Sequence, residues 1–427
     1  MNQYENDNKV FWIWLSLACG VASKEFGRLV THFDDAYDLY AMSEEEIERI
    51  DGIGDTLKLR LSDKTMKEAE KIFVDCRRHG VTVLTYADKN YPSKLRLIED
   101  PPVVLYVLGK VRELDSHPLI AVVGTRKMSE YGRKTAFRLS YELALAGAVI
   151  VSGLALGIDG VAACGALEAK GNTIAVLGCG VLVDYPKAHR TLKAEIVRHG
   201  AVISEYPPYT PAIPRNFPTR NRIISGICHG TLLVEGAIAS GSMITARLAI
   251  GQGRQLFAVP GKIGDVNSEG PNVLIREGAY SVLESMDILN HYEFLYRDNL
   301  NFIALRASQT PDCDETLHRF CVPTDYEEGR RGGRTQRSVE KTVAVPAPAK
   351  ESKPLSSPVK ASEPIAPSVP LSATEQSVLD KMPIDRPITP DALVGDGCGI
   401  GGVLTALTML ELYGVVTSLP GGLYLRK

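Results

Sequence analysis

Between Leu119 and Gly261 the chain alternates two hydrophobic textures. Six short runs are continuously apolar or β-branched and end in glycine or proline: LIAVVG (119–124), VIVSGL (149–154), TIAVLG (173–178), AVISEYP (201–207), GTLLVEG (230–236) and QLFAVPG (255–261). A strand with no polar alternation is covered on both faces, which is the signature of a parallel sheet. Between the first two runs, residues 129–146 place Ala136, Leu139, Leu143 and Ala146 on one helical stripe. Strands alternating with helices predict a doubly wound, Rossmann-like α/β domain over residues 79–300. Ligands of such sheets bind beyond the carboxyl ends of the strands, where the glycine-ended turns fall.

The flanks read differently. Residues 10 to 78 repeat Leu, Ile and aromatic positions at three- and four-residue steps, predicting a helical domain over 1–78. VFWIWLSLACGVA (10–22) is apolar but follows Glu5 and Asp7 rather than a basic segment, and it is too short to span a bilayer. It is read as a buried first helix, and no membrane segment is expected. Asp51-Gly52-Ile53-Gly54-Asp55 resembles the turn of a helix-hairpin-helix, where glycines let backbone amides approach phosphate. Its two aspartates favour packing or protein contact instead. Residues 301–370 are read as a tail and a Pro/Ala/Ser-rich linker, with a small basic cluster at Arg330, Arg331, Arg334 and Arg337. Order resumes over 371–427: helices at 371–382, 389–394 and 400–413, then VVTSLPGGLYLRK as a hairpin. That order predicts a winged helix with Pro420-Gly421-Gly422 as its wing turn.

Composition bounds the function. The 427 residues are 44% hydrophobic and 23% charged, with a formal net charge of -3. Any affinity for nucleic acid therefore comes from local clustering. The eight cysteines include no CxxC pair, which suits free thiols and a cytoplasmic location. Cys313, His318 and Cys321 lack a fourth ligand nearby, so no metal is expected.

One cluster stands out. IPRNFPTRNRIIS (213–225) carries Arg215, Arg220 and Arg222 with Asn216, Asn221 and Phe217, and no Asp or Glu occurs between Glu205 and Glu235. Arginine forks bind phosphate and a neighbouring aromatic stacks a base, the pairing a single-strand binder needs. Four turns join it. Gly124-Thr125-Arg126 ends the first run and aims Arg126 into the ligand crevice. SGLALGID (152–159) offers an anion-holding turn through Ser152 and Gly153 at a helix start. Gly178-Cys179-Gly180 ends the third run, and Ser240-Gly241-Ser242 opens a helix after the fifth. A dinucleotide enzyme is disfavoured: the position of G-x-G-x-x-G reads GTRKMS, and no G-x-x-x-x-G-K-[ST] exists for a P-loop. No cofactor is expected.

VVGTR, SGLALGID, AVLGCGVLVDYPKAHR, SEYPP, NFPTRNRIISG, GSMITARLA, GR-x-x-FAVPG and LIREGA, in this order between Tyr91 and Ala279, resemble the DNA-processing protein A family (DprA/Smf). The resemblance implies a non-enzymatic protein that binds single-stranded DNA, forms a homodimer through its Rossmann-like domain, and helps load a RecA-type recombinase in natural transformation. It implies DNA contacts at Gly124, Thr125, Arg126, Ser152, Gly153, Lys187, Arg215, Asn216, Phe217, Arg220, Arg222, Ser240, Gly241 and Lys262. Phe217 would stack a base, Arg126 would hold phosphate, and Arg220 and Arg222 would hold the strand or buttress the loop. Two departures occur: Ala163 and Cys164 stand where the family usually has a histidine, and Val234-Glu235-Gly236 replaces a frequent VVEA. Two alternatives remain, a LOG-type nucleotide phosphoribohydrolase and a non-enzymatic interaction scaffold. The first relies on P-G-G-x-G-T-x-x-E, whose place here reads VEGAIASGSMITA. In the winged helix, IGGVLTALTMLELY (400–413) has no Lys, Arg, Asn or Gln, so protein contact rather than DNA reading is expected there.

Overall fold

Every apolar run becomes a strand. In this computed structural model, which describes residues 3–111, 114–307, 309–324, 373–383, 386–393, 403, 406, 407, 410, 415–419 and 423–426, one sheet holds nine strands. They are β1 (Thr82–Thr85), β2 (Val104–Gly109), β3 (Leu119–Val123), β4 (Val149–Ser152), β5 (Thr173–Val176), β6 (Ala201–Ser204), β7 (Gly230–Leu233), β8 (Gln255–Ala258) and β9 (Tyr280–Ser281). Their order across the sheet is β1-β2-β6-β5-β4-β3-β7-β8-β9. β3 to β9 pair in parallel, and the β1–β2 hairpin adds antiparallel to β6. The chain winds outward from β3 through β6, then returns to the other side of β3 with β7. That reversal opens a crevice beyond the carboxyl ends of β3 and β7.

Both sheet faces are buried, which is why the runs contain no polar alternation. Ile120 and Val122 of β3 face one core, and Leu119, Ala121 and Val123 face the other. An N-terminal layer of helices precedes the sheet: α1 (Gln3–Cys19), α2 (Lys24–Leu29), α3 (Ala36–Ala41), α4 (Glu44–Glu48), α5 (Asp55–Ser62) and α6 (Lys67–Arg78), followed by the short α7 (Ser93–Arg96). The first core then receives α8 (Glu130–Leu145), α9 (Ile158–Glu168) and α10 (Arg190–His199). The second receives α7, α11 (Asn216–Ile227), α12 (Gly241–Gly251) and α13 (Val266–Arg276). Ala136, Leu139, Leu143 and Ala146, the predicted stripe, are fully buried. α8 and α9 approach closely because Gly165 has no side chain: a Cβ there would stand 2.6 Å from the Phe137 carbonyl oxygen. Ala163 and Cys164 lie wholly inside this packing.

The apolar N-terminal run is the buried part of α1, with Trp12, Ile13, Trp14 and Leu15 at most 3% exposed. Among the described residues no helix is long and apolar enough to cross a membrane. The hairpin-like turn between α4 and α5 is satisfied from within. Gly54 N–H donates to Glu25 Oε1 at 2.6 Å, and Arg28 donates to the Gly52 carbonyl at 3.3 Å.

Beyond α14 (Met286–Leu289) the fold continues past the expected boundary at 301. Composition places α15 (Phe302–Ala307) and α16 (Cys313–Arg319) in the tail, but Leu317 is fully buried against the first core. Asp312 caps α16 by accepting from Glu315 N–H, Arg319 pairs with Glu168 at 2.8 Å, and Arg133 pairs with Asp314. Three buried side chains, Cys313, Thr316 and Leu317, suffice to seat a two-turn helix, too few to register in composition. The chain divides into units 1–332 and 333–427. The linker and its arginine cluster lie outside the described residues.

In the second unit, α17 (Ala373–Lys381) and a 3-10 turn at Pro390–Leu393 are followed by helical positions 403, 406, 407 and 410. β10 (Val416–Leu419) pairs antiparallel with β11 (Leu423–Arg426), and Ile388 bridges to Tyr424. The register pairs Leu419 with Leu423; the expected wing turn Pro420-Gly421-Gly422 lies outside the described residues. Val403, Ala406, Leu407 and Leu410 pack with Val378, Leu379, Met382 and Leu393 in this unit's own core.

Candidate nucleic-acid interface

The carboxyl ends of β3, β4, β5 and β7 surround a cleft of about 550 Å³. Gly124, Thr125, Arg126, Phe217, Arg220, Ser240 and Gly241 all line it, as do Asp159, Tyr185, Asn221 and Thr245. A smaller recess of about 40 Å³ adjoins it, lined by Gly153, Leu154, Gly178, Tyr185 and Phe217. Residues from five separated stretches of sequence thus meet at one edge of the sheet.

Arg126 is exposed at the mouth. Its loop is set by backbone bonds: Thr125 N–H donates to the Glu235 carbonyl at 2.7 Å, and Ile158 N–H donates to the Thr125 carbonyl at 3.2 Å. Opposite, α12 begins at Ser240-Gly241 with no side-chain cap on its first amides. A Cβ at Gly241 would meet nothing within 4 Å, so the approach to this helix start is open. The helix dipole and unpaired amides there favour an anion.

The arginine segment is not a loop. It is the first two turns of α11, and Pro218 is tolerated because a helix's first turn needs no amide donors. At about 100° per residue the helix sends its arginines to different places. Phe217 and Arg220, three apart, face the cleft. Arg222 points away and is 4% exposed, paired with Glu205 at 2.5 Å and Asp100 at 3.2 Å. It is held inside the fold by two carboxylates. The neutralising carboxylates are absent nearby in sequence but present in space. Burial raises the carboxyl pKa of both Glu205 and Asp100, and Arg222 opposes that shift.

Arg220 is 4% exposed as well. Its guanidinium donates to the Gly153 carbonyl at 2.8 Å and to the Val176 carbonyl, while Nε reaches Asn221 Oδ1 at 3.3 Å. Burial lowers its pKa to about 10, so it stays charged at neutral pH. It lines the cleft floor while its donors hold strand ends together, instead of the free phosphate fork expected from sequence.

The expected anion-holding turn is also occupied from within. Gly153 N–H donates to Asp159 Oδ2 at 3.0 Å and Ala155 N–H to the same oxygen at 3.4 Å. The Ser152 hydroxyl accepts from Leu154 N–H and is fully buried. The anion these amides hold is the carboxylate of Asp159 itself. Burial raises its pKa, with Arg220 opposing.

Phe217 is half-buried, and its ring lies on Gly178, where a Cβ would stand 2.8 Å from Cδ1. Tyr185 completes an aromatic pair with it, ring centroids 5.2 Å apart and tilted by 34°. Tyr185 was not singled out from sequence, although it lies two residues before Lys187 in the turn after the third run. Lys187, Arg215 and Lys262 are exposed but outside the cleft lining, and Asn216 is buried at the start of α11. Glu235, at the departure from VVEA, is 3% exposed and accepts from the Ser129 amide at 2.9 Å and from its hydroxyl. It ties the end of β7 to the start of α8.

A family model described as DNA recombination-mediator protein A matches residues 82–293, and one described as DprA winged helix domain matches 362–422. The chain is 40% identical to the DNA processing protein DprA of Bacillus subtilis over 218 residues, 51% of this chain and 73% of that protein. The chain belongs to the DNA recombination-mediator protein A family. Similarity to protein Smf of Escherichia coli is 47% identity over 205 residues, 48% of this chain and 54% of the relative, so this match spans about half of that relative. Among solved structures, the X-ray structure of DNA processing protein A from Streptococcus pneumoniae superposes with a TM-score of 0.58 at 34% identity, covering 66% of this chain and 97% of that one. Both the α/β sheet and the C-terminal winged helix expected from sequence are therefore those of the family.

Proposed function

We propose that the chain binds single-stranded DNA across the carboxyl edge of its sheet and acts as a recombination mediator without catalysing a reaction. The observation that carries this reading is the cleft itself. An exposed arginine, Arg126, and the open start of α12 flank an accessible aromatic pair, Phe217 and Tyr185. Phosphates meet the cation and the helix start, and unpaired bases meet the rings. Duplex DNA hides its π-faces, so single strands are preferred. Delivery of the strand to a RecA-type recombinase, and self-association of the α/β domain, belong to the same reading through family membership.

Glu235 supports a binding role over glycosidic cleavage, since its carboxylate is engaged by the amide and hydroxyl of Ser129. A mobility-shift comparison of single- and double-stranded oligonucleotides at two salt concentrations tests the proposal. Preferential, salt-sensitive binding of the single strand is expected, and equal binding of both forms would count against it. Incubation with nucleoside monophosphates should release no free base. Analytical ultracentrifugation at micromolar concentration tests self-association, and a monomer alone would remove that part.

A further inference from the structure

We propose that His189 is a positioning residue for the cleft: it holds the loop after β4 in the shape that sets Arg126 at the mouth. This rests on the DNA-binding reading above.

The loop Gly153–Gly157 needs holding. Leu154 sits at φ 54°, in the left-handed region that L side chains rarely adopt. Such a conformation persists where surrounding structure over-determines it. Three side chains do so here. Asp159 accepts from the amides of Gly153 and Ala155, Arg220 donates to the Gly153 carbonyl, and His189 bonds the carbonyl of Leu154 itself at 3.1 Å. All three lie in motifs already noted. His189 comes from the turn after β5 and is fully buried.

Because its partner is a carbonyl, Nδ1 of His189 carries the proton and donates, which leaves Nε2 bare. That Nε2 is buried without a hydrogen-bond partner. The bond to Leu154 is thus the one polar contact the ring makes among the described residues. Burial lowers its pKa and keeps the ring neutral, in keeping with a bare Nε2. Room for the ring is made by Gly160 on α9, where a Cβ would stand 2.5 Å from Cε1. Two positions far apart in sequence therefore serve one contact.

The loop in turn touches Arg126. Gly157, at φ 84°, lies so close that a Cβ there would stand 2.8 Å from the Arg126 Cα, and closer still to the Thr125 carbonyl oxygen. Ile158 N–H bonds that same carbonyl at 3.2 Å. A displaced loop displaces Thr125 and Arg126 with it.

The test is a double-mutant cycle on the full chain, read by fluorescence anisotropy with an oligo-dT probe. His189→Ala and Gly160→Ala, which disturb the contact from opposite sides, should each weaken binding about tenfold. His189→Asn, whose amide can donate to the Leu154 carbonyl, should restore affinity to within about threefold. In an Arg126→Ala background, His189→Ala should cost less than about twofold. Unchanged affinity in His189→Ala, or an equal loss in both backgrounds, overturns the proposal, since a purely packing histidine gives additive effects. If His189→Ala does not fold, the same cycle is read on Gly160→Ala. Failure of the wild type to bind oligo-dT defeats the DNA-binding reading instead. The positioning role is then read from hydrogen exchange at Gly153–Gly157, which His189→Ala should accelerate and His189→Asn should not; equal exchange in all three proteins overturns it.

Discussion

The ring of Phe217 at the start of α11 lies 5.2 Å from the ring of Tyr185, which comes from the turn after β5. The two form a tilted aromatic wall against the cleft floor made by Gly178. Either ring offers a face on which an unpaired base can stack. Phe217→Ala should lose about 1–3 kcal/mol of single-strand affinity per stacked base, and Tyr185→Ala should fall in the same range. Titration of a short oligonucleotide checks both. Losses that are equally large for duplex DNA would point to a collapsed cleft instead of lost stacking.

Arg126 and Arg222 should separate cleanly into a binding and a folding residue. Arg126→Ala should weaken all sequences alike and shallow the salt slope by about 0.7 per lost phosphate contact, with stability within about 0.5 kcal/mol of wild type. Arg222→Ala strands the buried Glu205 and the partly buried Asp100 without their cation. A cost of about 3–5 kcal/mol is expected in urea denaturation. The reverse pattern would mean that Arg222 and not Arg126 meets the ligand.

His229 gives stability a pH dependence of defined sign. Its Nδ1 accepts from Leu119 N–H at 3.0 Å, so Nε2 carries the proton and donates to the Tyr296 hydroxyl at 2.5 Å. Burial lowers its pKa to about 3, against an ordinary value near 6.5. The unfolded chain takes up this proton first on acidification. The contribution is therefore complete above about pH 6.5 and is lost as pH falls toward about 3, at no more than about 1.4 kcal/mol per unit. Partial exposure of the ring reduces that to about 1–2 kcal/mol between pH 7 and pH 5. Urea midpoints at the two pH values should show the loss, and His229→Asn should flatten it.

Deleting residues 371–427 should leave the single-strand dissociation constant within a few-fold, about 1 kcal/mol or less. The described positions of the third helix are buried in their own core, and Arg426 donates to the Leu379 carbonyl at 2.9 Å within the same unit. A hundredfold loss on deletion would assign this unit a direct DNA contact.

The chain's local patterning determined its architecture. Six unbroken apolar runs specify strands covered on both faces, and the Ala136–Ala146 stripe specifies the helix between two of them. Ligand chemistry at the carboxyl edge follows from that topology, so Gly124–Arg126, Phe217 and Ser240-Gly241 were legible as neighbours of one cleft. Which charges remain available could only be decided in three dimensions. Arg222 lacks a carboxylate within its own stretch, yet the fold brings Glu205 and Asp100 to it. Helical periodicity separates Arg220 from Arg222, and strand ends present carbonyls that absorb the first. The amides of the glycine turn look open in sequence until α9 returns Asp159 to them. Neutralisation and hydrogen-bond satisfaction depend on distance through space, which sequence separation does not report. Hydrophobic periodicity depends only on the next few residues, and so it can be read along the chain.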